Sequence, residues 1–127
     1  MTNVRLHMAA AVLVLTVAAR LIAADISGTW KSTFDSDIGR QEYTYTFIVD
    51  GSKLTGTIRG DQVGESPVQN GRVDGDRISF VESGKFQGFP FKIYYSGTVK
   101  SNNEIAFTRT VVGQVGAVEE IVATRVR

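Results

Sequence analysis

The chain has no cysteine, and its single histidine, His7, lies in the N-terminal segment. From Asp25 onward there is neither thiol nor imidazole. That excludes Ser-His-Asp and Cys-His nucleophilic sites, and zinc or haem held by His or Cys. It also excludes disulfides, so an oxidising compartment adds nothing to this fold. No Walker-type or dinucleotide-type glycine loop is present; the 13 glycines fall mostly at turn positions and on strand faces. Nor does charge of one sign dominate. Without Arg5 and Arg20, twelve of the 14 basic residues face 13 acidic ones, a formal charge of −1. Such a near-neutral domain has no electrostatic footprint for nucleic acid. The expectation is a protein that is not an enzyme, with no cofactor, metal or nucleic-acid partner.

The 127 residues bound the chain to one folded domain. Its start differs sharply from the rest. Arg5 and the amino terminus supply positive charge, Met8 to Ala19 form an apolar run, and Ala23 and Ala24 are small. This is the order of a secretory signal. The run is too short to cross a bilayer, which needs roughly 20 apolar residues. A signal helix over 1–24 and a domain over 25–127 are therefore expected, with cleavage after Ala24 or after Ala19. The product is secreted or periplasmic and keeps no membrane span.

From Gly28 the pattern has period two, with no helical stretch. Eight strands are predicted: Gly28–Phe34, Gln41–Val49, Lys53–Arg59, Val68–Val73, Arg77–Glu82, Phe91–Lys100, Glu104–Val111 and Glu119–Val126. Asp74-Gly75 is a strong hairpin signal, and Asp50-Gly51-Ser52 and Ser101-Asn102-Asn103 read as tight turns. The last hairpin places Lys100 opposite Glu104, Gly97 opposite Phe107 and Tyr95 opposite Arg109. The second and third strands set Phe47 opposite Gly56. Aromatic rings can cover cross-strand glycines and fill the missing volume. The other connections read as long loops, at 35–40, 60–67, 83–90 and 112–118, and alternation puts all four at one end. An all-β, eight-stranded antiparallel up-and-down barrel results, whose interior is either filled or holds one small ligand. A sandwich of the same strands is the structural alternative.

Gly28-Thr29-Trp30, following Ile26-Ser27, carries a Gly-x-Trp motif at the start of the first strand. It resembles the opening motif of lipocalins and their calycin relatives. The resemblance covers the first strand, the last strand and the strand count. It implies that a basic residue, Arg125 or Arg127, packs across Trp30 at a closed barrel end. The chain is also similar to small exported bacterial lipocalin-like proteins, a group whose related modules are attached to secreted carbohydrate-active enzymes. Gly28-Thr29-Trp30 with Leu54-Thr55-Gly56-Thr57 is similar to avidins as well. Those line the biotin site with further tryptophans, and Trp30 is the sole one here, which argues against biotin.

Tyr43, Tyr45, Phe47, Phe80, Phe91, Tyr95 and Phe107 all take the inward phase. They either line a pocket for a small apolar ligand or fill the barrel. Arg109 shares their face with Ile105, Phe107 and Val111. It can hold a ligand carboxylate or phosphate bidentately, or pair with an internal acid such as Glu82. These eight residues are the candidate ligand-binding set, and a small apolar or anionic molecule is the expected partner. Asp35, Asp37, Asp61, Glu65 and Glu82 lie towards the same end. As a carboxylate pair they suggest glycoside hydrolysis, though solvated loop charge accounts for them more simply. Phe86 and Phe89 read as a lid, a partner-binding tip or a plug. A filled domain acting through its loops is the alternative function.

Overall fold

The computed structural model describes residues 25–113 and 118–127. The expected signal segment lies outside the described residues, as do 114–117. The strands are β1 (Gly28–Ser36), β2 (Gly39–Asp50), β3 (Lys53–Gly60), β4 (Gly64–Pro67), β5 (Gln69–Asp74), β6 (Arg77–Phe86), β7 (Phe89–Ser101), β8 (Glu104–Val111) and β9 (Val118–Arg125). Each is antiparallel to its neighbours, and β1–β9 and β2–β3 pairing closes the sheet. β4 and β5 together form one staggered strand beside β3, broken at Val68, whose N–H donates to the Gly56 carbonyl at 2.9 Å. The result is the eight-stranded up-and-down barrel that the period-two pattern predicts. Pairing thus closes the barrel, with β4 paired to β3 alone among the described strands.

The alternation of burial follows the sequence phase. Tyr43, Tyr45 and Phe47 point inward from β2, and Ile105, Phe107 and Arg109 from β8. In β9 apolar residues stand on both faces of the sequence pattern. There the inward residues are Ile121 and Ala123, while Val118, Val122 and Val126 are exposed.

Three of the expected long loops are not loops. β1 and β2 remain paired out to Ser36 and Gly39, β6 and β7 out to Phe86 and Phe89, and β3 and β4 out to Gly60 and Gly64. The connections shrink to Asp37–Ile38, 61–63 and 87–88. Glycine-rich and polar segments with Pro67 and Pro90 read as breakers, yet they continue the ladder into tight turns. Gln87 and Gly88 both take positive φ, at 49° and 82°, which matches the twist of a two-residue hairpin. Ser36 organises the β1–β2 tip: its hydroxyl donates to Gly39 and accepts from the Ile38 N–H and Gln41 Nε2.

The expected Lys100–Glu104 pair is also corrected. Ser101 stands opposite Glu104 and Val99 opposite Ile105, so Lys100 is the extra residue of a bulge. The Gly97–Phe107, Tyr95–Arg109 and Phe47–Gly56 pairs form. At Gly97 a Cβ would meet the Phe107 ring at 2.5 Å, so the ring does lie over the glycine. Gly56 has a different reason. Its φ is 137°, and a Cβ would fall on the Thr46 carbonyl oxygen of β2. Here glycine permits close backbone approach.

One end of the barrel is closed. Trp30 is fully buried, and its indole N–H donates to the Ile26 carbonyl at 2.9 Å. The Arg125 guanidinium lies 4.5 Å over the indole and donates to the carbonyls of Asp25, Ser27 and Asn102. Arg125 is thus the basic residue across Trp30, while Arg127 is exposed. Arg125 ties the start of the domain to the last strand and the β7–β8 turn at one point.

Candidate functional site

Above Trp30 the barrel is solid. Phe80 and Tyr95 stack at 4.3 Å, and Phe107 meets both edge-on at 5.6 and 5.7 Å. Tyr45 packs edge-on against Tyr95 and stacks with Phe47. Such offset and edge-to-face geometries suit the quadrupoles of the rings. Tyr45, Phe47, Phe80, Tyr95 and Phe107 therefore form an aromatic core, and none of them lines the cavity at the open end.

A polar layer rests on this core. Tyr95 is the cross-strand partner of Arg109, and Arg109 is that of Glu119. The three side chains accordingly project inward at one level. Arg109 Nε donates to the Tyr95 hydroxyl at 2.9 Å, and that hydroxyl donates to Glu82 Oε1 at 2.6 Å. The Tyr43 hydroxyl donates to Glu82 Oε2 at 2.9 Å. With its proton committed to Glu82, the Tyr95 oxygen accepts from Tyr45 across 3.1 Å. Arg109 Nη1 donates to Glu119 Oε1 at 2.9 Å, while Nη2 stands 3.8 Å from Glu82 Oε1. The guanidinium also lies 4.5 Å over the Phe34 ring and 4.8 Å over Tyr43. Burial pushes the Glu82 carboxyl above its usual range, against the opposing pull of Tyr95, Arg109 and Tyr43. Burial also pushes Glu119 up; Arg109 opposes that shift and the charge of Asp37 adds to it. Tyr43, Tyr45 and Tyr95 are held neutral, chiefly by desolvation.

One group in this layer lacks a partner among the described residues: Glu119 Oε2, a buried oxygen. An unsatisfied buried acceptor costs about 1–3 kcal/mol, and more when charged.

Above the layer the barrel opens into a cavity of about 360 Å³. Its walls come from three connections of this end and from the ends of β8 and β9. Ile38 and Asp37 belong to the β1–β2 turn, Val63 to the β3–β4 turn, Phe86 and Phe91 to the β6–β7 hairpin, and Val111 and Val118 to the strands flanking 112–117. The three described connections surround one mouth, as alternation predicts, although strand ends build most of it; 114–117 of the fourth lie outside the described residues. Of the eight candidate residues, Tyr43, Phe91 and Arg109 line the cavity. Phe86 also lines it, whereas Phe89 points away and is 76% exposed.

Among the acids, Asp35 and Asp37 reach the cavity. Asp61 accepts the Glu42 N–H in a turn, and Glu65 is exposed. Sequence reasoning anticipated Glu82 as the partner of Arg109 and missed Glu119. The signal was available: Glu119 keeps the phase of Ile121 and Ala123.

No protein family, curated protein or solved structure matches the chain.

Proposed function

We propose that this protein is a non-enzymatic, exported binding module that takes one small, mostly apolar molecule in the open end of its barrel. The observation that carries the reading is the cavity of about 360 Å³, walled mostly by apolar side chains with Asp35, Ser36, Asp37 and Gln41 among them, and floored by a bonded polar layer. Its size sits near the lower end of ligand pockets, roughly 300–1,000 Å³, which are apolar with a few convergent polar groups. Thermal melts with added 1-hexanol test this. Binding to the folded state raises the melting temperature by mass action. A saturable rise is expected, lost in Val111→Trp, which fills the cavity. No rise in the native protein contradicts the reading.

Phe89 favours a second reading. A 76% exposed phenylalanine on the β6–β7 hairpin suits an accessory domain acting through its rim. That reading needs no cavity, and 1-hexanol then leaves the melt unchanged.

A further inference from the structure

We infer that the polar end of the ligand is a cation, specifically a protonated primary amine on an apolar body, received at Glu119 with Asp37 beside it. The inference rests on the cavity being a ligand site and adds the sign of its polar group.

Arg109 is the obvious candidate for holding an anion, but two of its three nitrogens are already bonded and the third stands within ion-pair distance of Glu82. Nε is bonded to Tyr95 and Nη1 to Glu119, and Nη2 faces Glu82. Aromatic rings of Phe34, Tyr43 and Tyr95 surround the guanidinium carbon at 4.5–5.3 Å. A ligand carboxylate would meet the acids Glu119, Asp35 and Asp37 in the same cavity. Glu119 shows the opposite condition. Oε1 is held by Arg109, while Oε2 is buried and has no partner among the described residues. A carboxylate oxygen only accepts hydrogen bonds, so the missing group is a donor.

Charge decides between a neutral and a cationic donor. The cavity lining holds one guanidinium, that of Arg109, and three acids, Glu119, Asp37 and Asp35, the last with Arg40 across the strand from it, while Glu82 lies behind. The lining is therefore short of positive charge. An ammonium answers both deficits: it donates to Oε2 and restores the balance. Phe86 and Phe91 in the same walls offer ring faces that also attract cations. A charge-assisted bond is about twice as strong as a neutral one, so an amine should outcompete an alcohol of equal length.

The test is calorimetric titration of the full folded protein at neutral pH with hexylamine, 1-hexanol and hexanoate, equal in chain length and different in head group. Hexylamine is expected to bind about tenfold tighter than 1-hexanol, with hexanoate weakest. Glu119→Gln keeps an oxygen for Arg109 and should erase most of the amine advantage while leaving 1-hexanol within about twofold. Asp37→Asn, on the exposed rim, provides a second variant that leaves the interior intact, and should lower amine affinity severalfold. Equal affinities for amine and alcohol, tightest binding of hexanoate, or an amine preference untouched by both variants overturns the inference and leaves the pocket standing. Failure of all three compounds to bind removes the pocket itself.

Discussion

Arg109 and Glu119 face each other directly across β8 and β9, with Nη1 and Oε1 2.9 Å apart. The pair links the cavity floor to the strand that begins beside the mouth. It also makes Arg109 the shared cation of two carboxylates, Glu82 and Glu119.

Removing that cation leaves two buried or half-buried acids without their counter-charge. Arg109→Leu should therefore cost about 3–5 kcal/mol of stability, as for other broken buried pairs. Urea unfolding followed by Trp30 fluorescence measures it. A loss below about 1 kcal/mol would mean that the network is ornamental to folding. The variant tests the fold more than the ligand.

The raised Glu82 carboxyl makes stability depend on pH with a definite sign. The folded state binds this proton more tightly than the unfolded chain, whose ordinary value is 4.5. Its stabilising contribution is complete below that value and is lost as pH rises through the higher folded value. Glu119 shifts in the same direction. Stability should thus fall as pH rises from the ordinary carboxylate range towards neutrality. Glu82→Gln should flatten the slope, leaving the share of Glu119. Melts across this range check both, and an unchanged slope in Glu82→Gln removes Glu82 from the account.

Trp30 is the sole tryptophan and is fully buried. The native protein should show blue-shifted emission that moves red on unfolding. Trp30→Ala should cost about 3–5 kcal/mol, as large core truncations do. Arg125→Ala should destabilise less, because it removes bonds to three carbonyls and a ring contact without opening a core cavity. Solvent-like emission from the native protein contradicts the closed end.

Gly56 and Gly97 separate two uses of glycine. Gly97→Ala presses a methyl on the Phe107 ring, which can turn, and should cost about 1–3 kcal/mol. Gly56→Ala drives a methyl onto the Thr46 carbonyl, which cannot move without breaking the β2–β3 ladder. Gly56→Ala should be the worse variant, and denaturation midpoints rank them. The reverse order contradicts the register.

Much of this architecture was legible because period two reports facing directly. Tyr43, Tyr45, Phe47, Phe107 and Arg109 could all be placed inside from alternation alone. Depth was not legible. Alternation says nothing about height along the barrel, so Phe47 and Phe80 could not be told from Phe91, though the first two fill the core and the third lines the cavity. Hairpin length was obscured by composition, since Ser83-Gly84 and Gly88-Phe89-Pro90 contain strand breakers that the β6–β7 ladder nonetheless absorbs. Lys100 was misplaced because a bulge shifts register by one residue and leaves no mark in the pattern. Glu119 was obscured because Val118, Val122 and Val126 in one phase compete with Ile121 and Ala123 in the other. Cross-strand pairing with Arg109 decides between the two phases and puts Glu119 inside with Ile121 and Ala123.

The central claim is that the mouth, and no other surface, receives a small apolar molecule. Amide chemical-shift mapping of isotope-labelled protein during a 1-hexanol titration tests it most directly. The account predicts saturable shifts clustered at Ile38, Val63, Phe91 and Val111, with Trp30 and the closed end unmoved. Shifts that never saturate, or that gather on the outer face around Tyr94 and Val122, would contradict it.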